Sequence, residues 1–122
     1  MILIDSNILI YSAKDEYKYL RKLFKQNDVF VSSISKLEVL GYHGLVEKDR
    51  VYFDAVFKVV KILPIDSIII EQAIIIRREH NISVGDAIIA ATSLFYNYSL
   101  YTRNVSDFKP LGHKIEIINP IK

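Results

Sequence analysis

Cysteine and tryptophan are both absent from the 122 residues. Without cysteine there is no disulfide framework, no thiolate nucleophile and no zinc–thiolate site. Glycine occurs 4 times, at Gly41, Gly44, Gly85 and Gly112. None of these makes the clustered turn of a dinucleotide site or a P-loop, which disfavours nucleotide binding by a glycine-rich loop. No apolar run approaches the roughly 18–20 residues of a membrane span. The start, Met1 to Asp5, lacks the basic segment and small-residue cleavage site of a signal peptide. The expectation is a cytoplasmic protein with no membrane partner. A strong charge of one sign is missing too, since 16 Lys and Arg against 14 Asp and Glu leave +2. That balance is compatible with a polyanion partner and does not by itself argue for one.

What is present is the balance of a folded domain, 51% hydrophobic and 25% charged. The length suits one core, so residues 1–122 are read as a single domain. Apolar runs at Ile2–Asp5, Val29–Ser32, Lys61–Pro64, Ser99–Thr102 and Lys114–Ile118 read as strands. Helices are expected over Asn7–Ala13, Glu16–Lys25, from Ser35 to before Gly41, Glu47–Val60, Ser67–His80 with Asp66 as cap, and Val84–Tyr96 with Ser83 as cap. A short turn or helix is expected at Asn104–Phe108. Strands alternating with helices imply an α/β fold, a parallel sheet with right-handed crossovers and helices on both faces.

The first strand stops at Asp5. In open α/β sheets the carboxyl edge of the strands is where ligands bind. Glu38 lies three residues after Ser35, Asp86 three after Ser83, and Asp107 three after Asn104. Each of these spacings suits a helix start, so each acid taken singly has a capping alternative. Together the acids fall on the carboxyl side of the sheet or at helix starts that can face it. Carboxylates drawn together without a cation repel, and one takes up a proton. A hard divalent ion, magnesium or manganese, resolves that conflict with oxygen ligands. Such an ion activates a water for attack on phosphorus. His43, His80 and His113 are scattered, and none sits beside a candidate acid. An aspartyl-nucleophile phosphatase would carry a second acid two residues after Asp5, where Asn7 stands.

The segments Ile2–Asn7, Ser35–Glu38, Val84–Leu94 and Tyr101–Phe108, in this order, resemble a PIN domain, and more narrowly a VapC-type toxin ribonuclease of a type II toxin–antitoxin system. The resemblance runs the length of the chain. It implies a three-layer α/β/α fold with a parallel sheet of four to five strands in the order 3-2-1-4-5. It also implies magnesium- or manganese-dependent endoribonuclease activity on an RNA substrate, a cognate antitoxin and a homodimer. By position, Asp5, Glu38 and Asp86 match the family's core acids. The fourth acidic position varies in the family; here Asp107 is favoured over Asn104, because only Asp107 carries charge. Ser6 and Thr102 match small hydroxyl positions near the site that could hold a metal-bound water. Asn7 matches a residue that orders the loop.

An acidic centre acting on RNA needs a basic rim. Arg103, Lys36, Lys14 and Lys18 are the candidates, and Tyr11 and Tyr42 are candidates for stacking on a base. The run Ile68–Ile76 is more apolar than one buried face needs, and reads as core or as an interface with a second subunit or an antitoxin segment. Two alternatives stay open: a PIN-like module that binds without cutting, and an RNA-processing nuclease without an antitoxin.

Overall fold

The computed structural model describes residues 1–122. Strands β1 (Ile2–Ile4), β2 (Val29–Ser32), β3 (Lys61–Leu63), β4 (Ser99–Tyr101) and β5 (Ile117–Ile118) form one sheet in the order β3-β2-β1-β4-β5. Every neighbouring pair is parallel. The helices are α1 (Ser6–Ser12), α2 (Ser33–Leu40), α3 (Glu47–Val59), α4 (Ser67–Glu79), α5 (Val84–Tyr96) and α6 (Val105–Phe108). A 3-10 helix over Asp15–Lys25 follows α1, and a short one over Lys109–Leu111 follows α6. No helix is long and apolar enough to cross a membrane.

β1 occupies the centre of the sheet, and alternation sends its side chains into both layers. Leu3 joins Ile69, Ala73, Ile76, Ala87, Ile89 and Phe108, the core under α4 and α5. Ile4 joins Ile8, Leu9, Leu20, Phe24, Phe53 and Phe57, the core under α1, α3 and the longer 3-10 helix. Both residues are 0% exposed. Helix α5 is buried without interruption from Ala87 to Ser93, and its alanines allow close packing on α4. The Thr92 hydroxyl, buried with it, donates to the Ile88 carbonyl at 2.7 Å. Asn97 ends the helix in the left-handed conformation at φ 58°.

The structure departs from the sequence expectations in four places. Helix α2 begins two residues early: Ser32, the last residue of β2, is its cap, and its hydroxyl accepts from the Ile34 N–H at 3.2 Å. Ser35 is thus inside the helix, and no capping box forms between Ser35 and Glu38. The segment Glu16–Lys25 is a 3-10 helix rather than an α-helix, broken at Tyr17 (φ −115°, ψ 18°). There the Tyr17 ring packs edge-on against Tyr11, with centroids 4.9 Å apart, and tertiary contact overrides the amphipathic pattern. β5 is only Ile117–Ile118, because Lys114 and Ile115 donate back to the Leu111 carbonyl at 2.9 and 3.0 Å in a helical turn. The apolar run of α4 is divided: Ile69, Ala73 and Ile76 are core, whereas Ile68, Ile70, Ile74 and Ile75 are between 40% and 51% exposed.

Candidate active site

The carboxyl edge of the sheet is built around Asp5. It leaves β1 with its backbone N–H bonded to the Tyr101 carbonyl of β4 at 2.9 Å, and it is the N-cap of α1. Its Oδ1 accepts the Ser6 N–H at 2.8 Å. Its Oδ2 accepts the Thr102 hydroxyl at 2.8 Å and the Asn7 amide at 3.1 Å. The residue is only 4% exposed. Burial pushes its carboxyl up from 3.8 to about 6. The Thr102 hydroxyl and Ser6 N–H work against that rise, and the charges of Asp86 and Glu38 add to it.

Glu38 stands on α2, and Ser6 Oγ donates to its Oε1 at 2.8 Å. Ser6 Oγ also lies 2.9 Å from Ser35 Oγ. A hydroxyl has one proton, and an ionised carboxylate can only accept. With the Ser6 proton on Glu38, Ser35 is the donor to Ser6, and a chain runs Ser35–Ser6–Glu38. Ser35, at the far end of that chain, is 0% exposed. On the other side Glu38 lies against the first turn of α5. A Cβ added to Gly85 would meet Glu38 Oε2 at 2.8 Å, closer than real Cβ contacts allow. Glycine there makes the space that the carboxylate fills.

The neighbouring Asp86 is half-buried, and the Ser83 hydroxyl caps its backbone N–H at 3.1 Å. Burial raises the Asp86 carboxyl above its ordinary value, and the charges of Asp107 and Glu38 raise it further. Asp107 is exposed on α6 and faces Asp86 across a polar cleft of about 230 Å³, lined also by Asn81, Ile82 and Ser83. Asn104 precedes α6 without a side-chain cap, and its backbone N–H donates to Thr102 Oγ1 at 3.0 Å. Of the two candidates for the fourth position, Asp107 is the one that meets Asp86. Asn7 ties the loops together: its Oδ1 accepts the Arg103 N–H at 3.1 Å while its amide holds Asp5.

The acids therefore form a coupled row in which Asp5 feels Asp86 and Glu38, and Asp86 feels Glu38 and Asp107. No cluster of three acids or histidines is tight enough to hold an ion unaided. The donors are all oxygens, which suits a hard cation that keeps several waters and shares its shell with a phosphate. Burial of Asp5 beside like charges leaves a carboxylate whose ionised form lacks a positive partner, and a divalent ion supplies one. The residues present fit such an ion on those grounds. Lys36 is exposed on α2, and Tyr42 lines a separate apolar cleft with Ile10, Val39 and Phe53.

Two contributors were not visible as site residues in the sequence. Ser35 reads there as a helix cap. Gly85 carries one faint signal, a glycine in the first turn of a helix that it weakens.

The model of the PIN domain family matches residues 2–111. The chain belongs to the PIN domain family, whose members are generally nucleases. No curated protein sequence matches the chain. Among solved structures, it is similar to a toxin–antitoxin complex from Klebsiella pneumoniae, at 26% identity and a TM-score of 0.77 over 100% of this chain and 99% of that one. It is similar to FitAcB from Neisseria gonorrhoeae at 25% identity and a TM-score of 0.78, covering 98% of both chains. It shares its fold with VapBC2 from Rickettsia felis, solved with a DNA fragment from their promoter, at 23% identity, a TM-score of 0.79 and 98% coverage of each.

Proposed function

We propose that this protein is a metal-dependent endoribonuclease, the toxin of a toxin–antitoxin pair. The observation that carries the reading is Asp5, a buried carboxylate raised to about 6 and facing Asp86 and Glu38. A stability role alone leaves that arrangement without a purpose, because desolvation and like charge both act against it. The likeness to toxin–antitoxin complexes over the whole chain supports the biological setting.

In this reading Asp5, Glu38 and Asp86 hold magnesium or manganese, with Asp107 completing the site on the open side. Such an ion would supply charge neutralisation at the scissile phosphate and would acidify a water for attack on it. The protein's own groups do the positioning. Thr102, Asn7 and the Ser6 N–H hold Asp5 in one orientation. Ser6 holds Glu38, and Ser35 holds Ser6. The rim candidates Arg103, Lys36 and Lys14 hold the RNA backbone against the repulsion of the acid row. The chain acts as a homodimer in the cytoplasm and is silenced by a cognate antitoxin.

The test is cleavage of RNA by purified protein with Mn2+ or Mg2+. Activity is expected to stop with EDTA and to be lost in Asp5→Asn and Asp86→Asn, with circular dichroism unchanged. Full activity in either variant overturns the assignment. The antitoxin part is checked by co-expressing the product of the adjacent reading frame, which should relieve growth arrest.

A further inference from the structure

Lys14 and Arg103 come from opposite ends of the chain and meet on one ring. The Lys14 ammonium lies 5.0 Å from the Tyr11 ring centroid, and the Arg103 guanidinium carbon lies 5.1 Å from it. Both distances are within cation–π range. Tyr11 is itself braced, because Tyr17 packs edge-on against it at 4.9 Å. Tyr11 lies in the last turn of α1, and Lys14 and Tyr17 follow in tight turns: the Lys14 N–H donates to the Tyr11 carbonyl and the Tyr17 N–H to the Lys14 carbonyl, each at 3.0 Å. Arg103 follows Thr102, which donates to Asp5, and its own N–H is held by Asn7.

Neither cation has a carboxylate partner. The ion pairs of this chain are those of Arg50 with Glu47 and Asp54. Asp15 and Glu16, next to Lys14, make none. Their distances to the one ring centre place the two charges at most about 10 Å apart, near the Debye length of about 8–10 Å at 0.1–0.15 M salt, so their repulsion is only partly screened. A free surface would let them separate; here the ring holds both. An incoming phosphate relieves the repulsion, and that makes the pair a ready anion site.

We infer that Tyr11 gathers Lys14 and Arg103 into a clamp for the backbone phosphates of single-stranded RNA beside the cleaved bond. The inference rests on the nuclease reading and adds to it the path of the strand. It assigns Tyr11 as a positioning residue whose ring serves the cations, where the sequence suggests a ring that stacks on a base. It also separates Lys14 and Arg103 from Lys36, which is exposed without any such anchor.

The test is binding of a short, unstructured, fluorescein-labelled RNA by anisotropy in EDTA, across a salt series. Cleavage of the same RNA in Mn2+ is followed separately. Arg103→Ala and Lys14→Ala should each weaken binding and flatten the dependence of log affinity on log salt by about 0.7, the loss of one phosphate contact on a single strand. Tyr11→Leu should weaken binding about fivefold while both charges remain, and Tyr11→Phe should recover that loss because it keeps the ring face. An unchanged salt slope in either alanine variant overturns the clamp. So does Tyr11→Leu binding like the wild type, or a wild type that does not bind RNA at all. Wild-type binding with these variant effects but without cleavage in Mn2+ upholds the clamp and overturns the nuclease reading alone.

Discussion

Replacing Asp5 by asparagine should make the metal-free protein more stable, although it removes the residue at the centre of the site. Asp5 is 4% exposed, and its carboxyl is raised from 3.8 to about 6. Between those values the folded protein holds a proton that the unfolded chain has released, so stability falls as pH rises through that window. Above it the loss is complete and amounts to about 3 kcal/mol. Asparagine has no charge to desolvate. Its amide, however, would meet both groups that now donate to Asp5 Oδ2, the Thr102 hydroxyl at 2.8 Å and the Asn7 amide at 3.1 Å; the hydroxyl can turn to accept, and the amide cannot. That donor–donor conflict costs about 1 kcal/mol. The net gain is about 2 kcal/mol at pH 8, or roughly 5–10 °C in Tm for a domain of this size. Near pH 4 the wild-type carboxyl is protonated in the fold, the gain is gone, and the donor conflict should leave the variant slightly the less stable. Differential scanning fluorimetry of both proteins in EDTA at pH 4, 6 and 8 measures it. Added Mn2+ should stabilise the wild type and not the variant. A variant less stable than wild type at pH 8, or a difference that does not change with pH, refutes the reasoning.

Gly85→Ala should keep the fold, because only the mobile end of Glu38 stands where the Cβ goes, and alanine favours the helix by up to about 1 kcal/mol. Cleavage should nevertheless fall at least about tenfold, since Glu38 is displaced; wild-type rates would show that its position is immaterial. Ser35→Ala should cost about 1 kcal/mol for a lost buried hydrogen bond. A double-mutant cycle with Ser6→Ala, read in cleavage rate, should show coupling, and strict additivity would break the proposed chain. Thr102→Val removes the hydroxyl that restrains the Asp5 carboxyl, so that carboxyl rises further and the acid limb of the pH–rate profile should move to higher pH. A profile unmoved or shifted to lower pH would contradict the role given to Thr102.

What could be read along the chain is what local rules control. β1 ends on an acid because an apolar run stops there, and α4 and α5 start where Asp66 and Ser83 supply an oxygen to a free N–H. The parallel order 3-2-1-4-5 followed from the family resemblance, and the structure has it. The sequence places the start of α2 at Ser35, although Ser32 and Ser33 can cap a helix as well. Pairing of Ser32 with Leu63 of β3 decides it, and that contact is not local. With the cap at Ser32, Glu38 is released from capping and free to meet Ser6. Gly85 answers to a carboxylate on α2, and Tyr11 to a guanidinium on the loop after β4. Neither requirement leaves a mark in the residues around it.

The bond between Thr102 and Asp5 spans 97 positions of sequence. A ribosome delivers Asp5 earlier than Thr102 by those 97 residues. Until β4 has emerged, β1 lacks one of its flanking strands, and the carboxylate lacks the hydroxyl, the Asn7–Arg103 tie and the α6 acid. The acid row is therefore completed only after β4 and the loop beyond it have been made. A fragment comprising residues 1–98 should bind no Mn2+ and unfold without a cooperative transition.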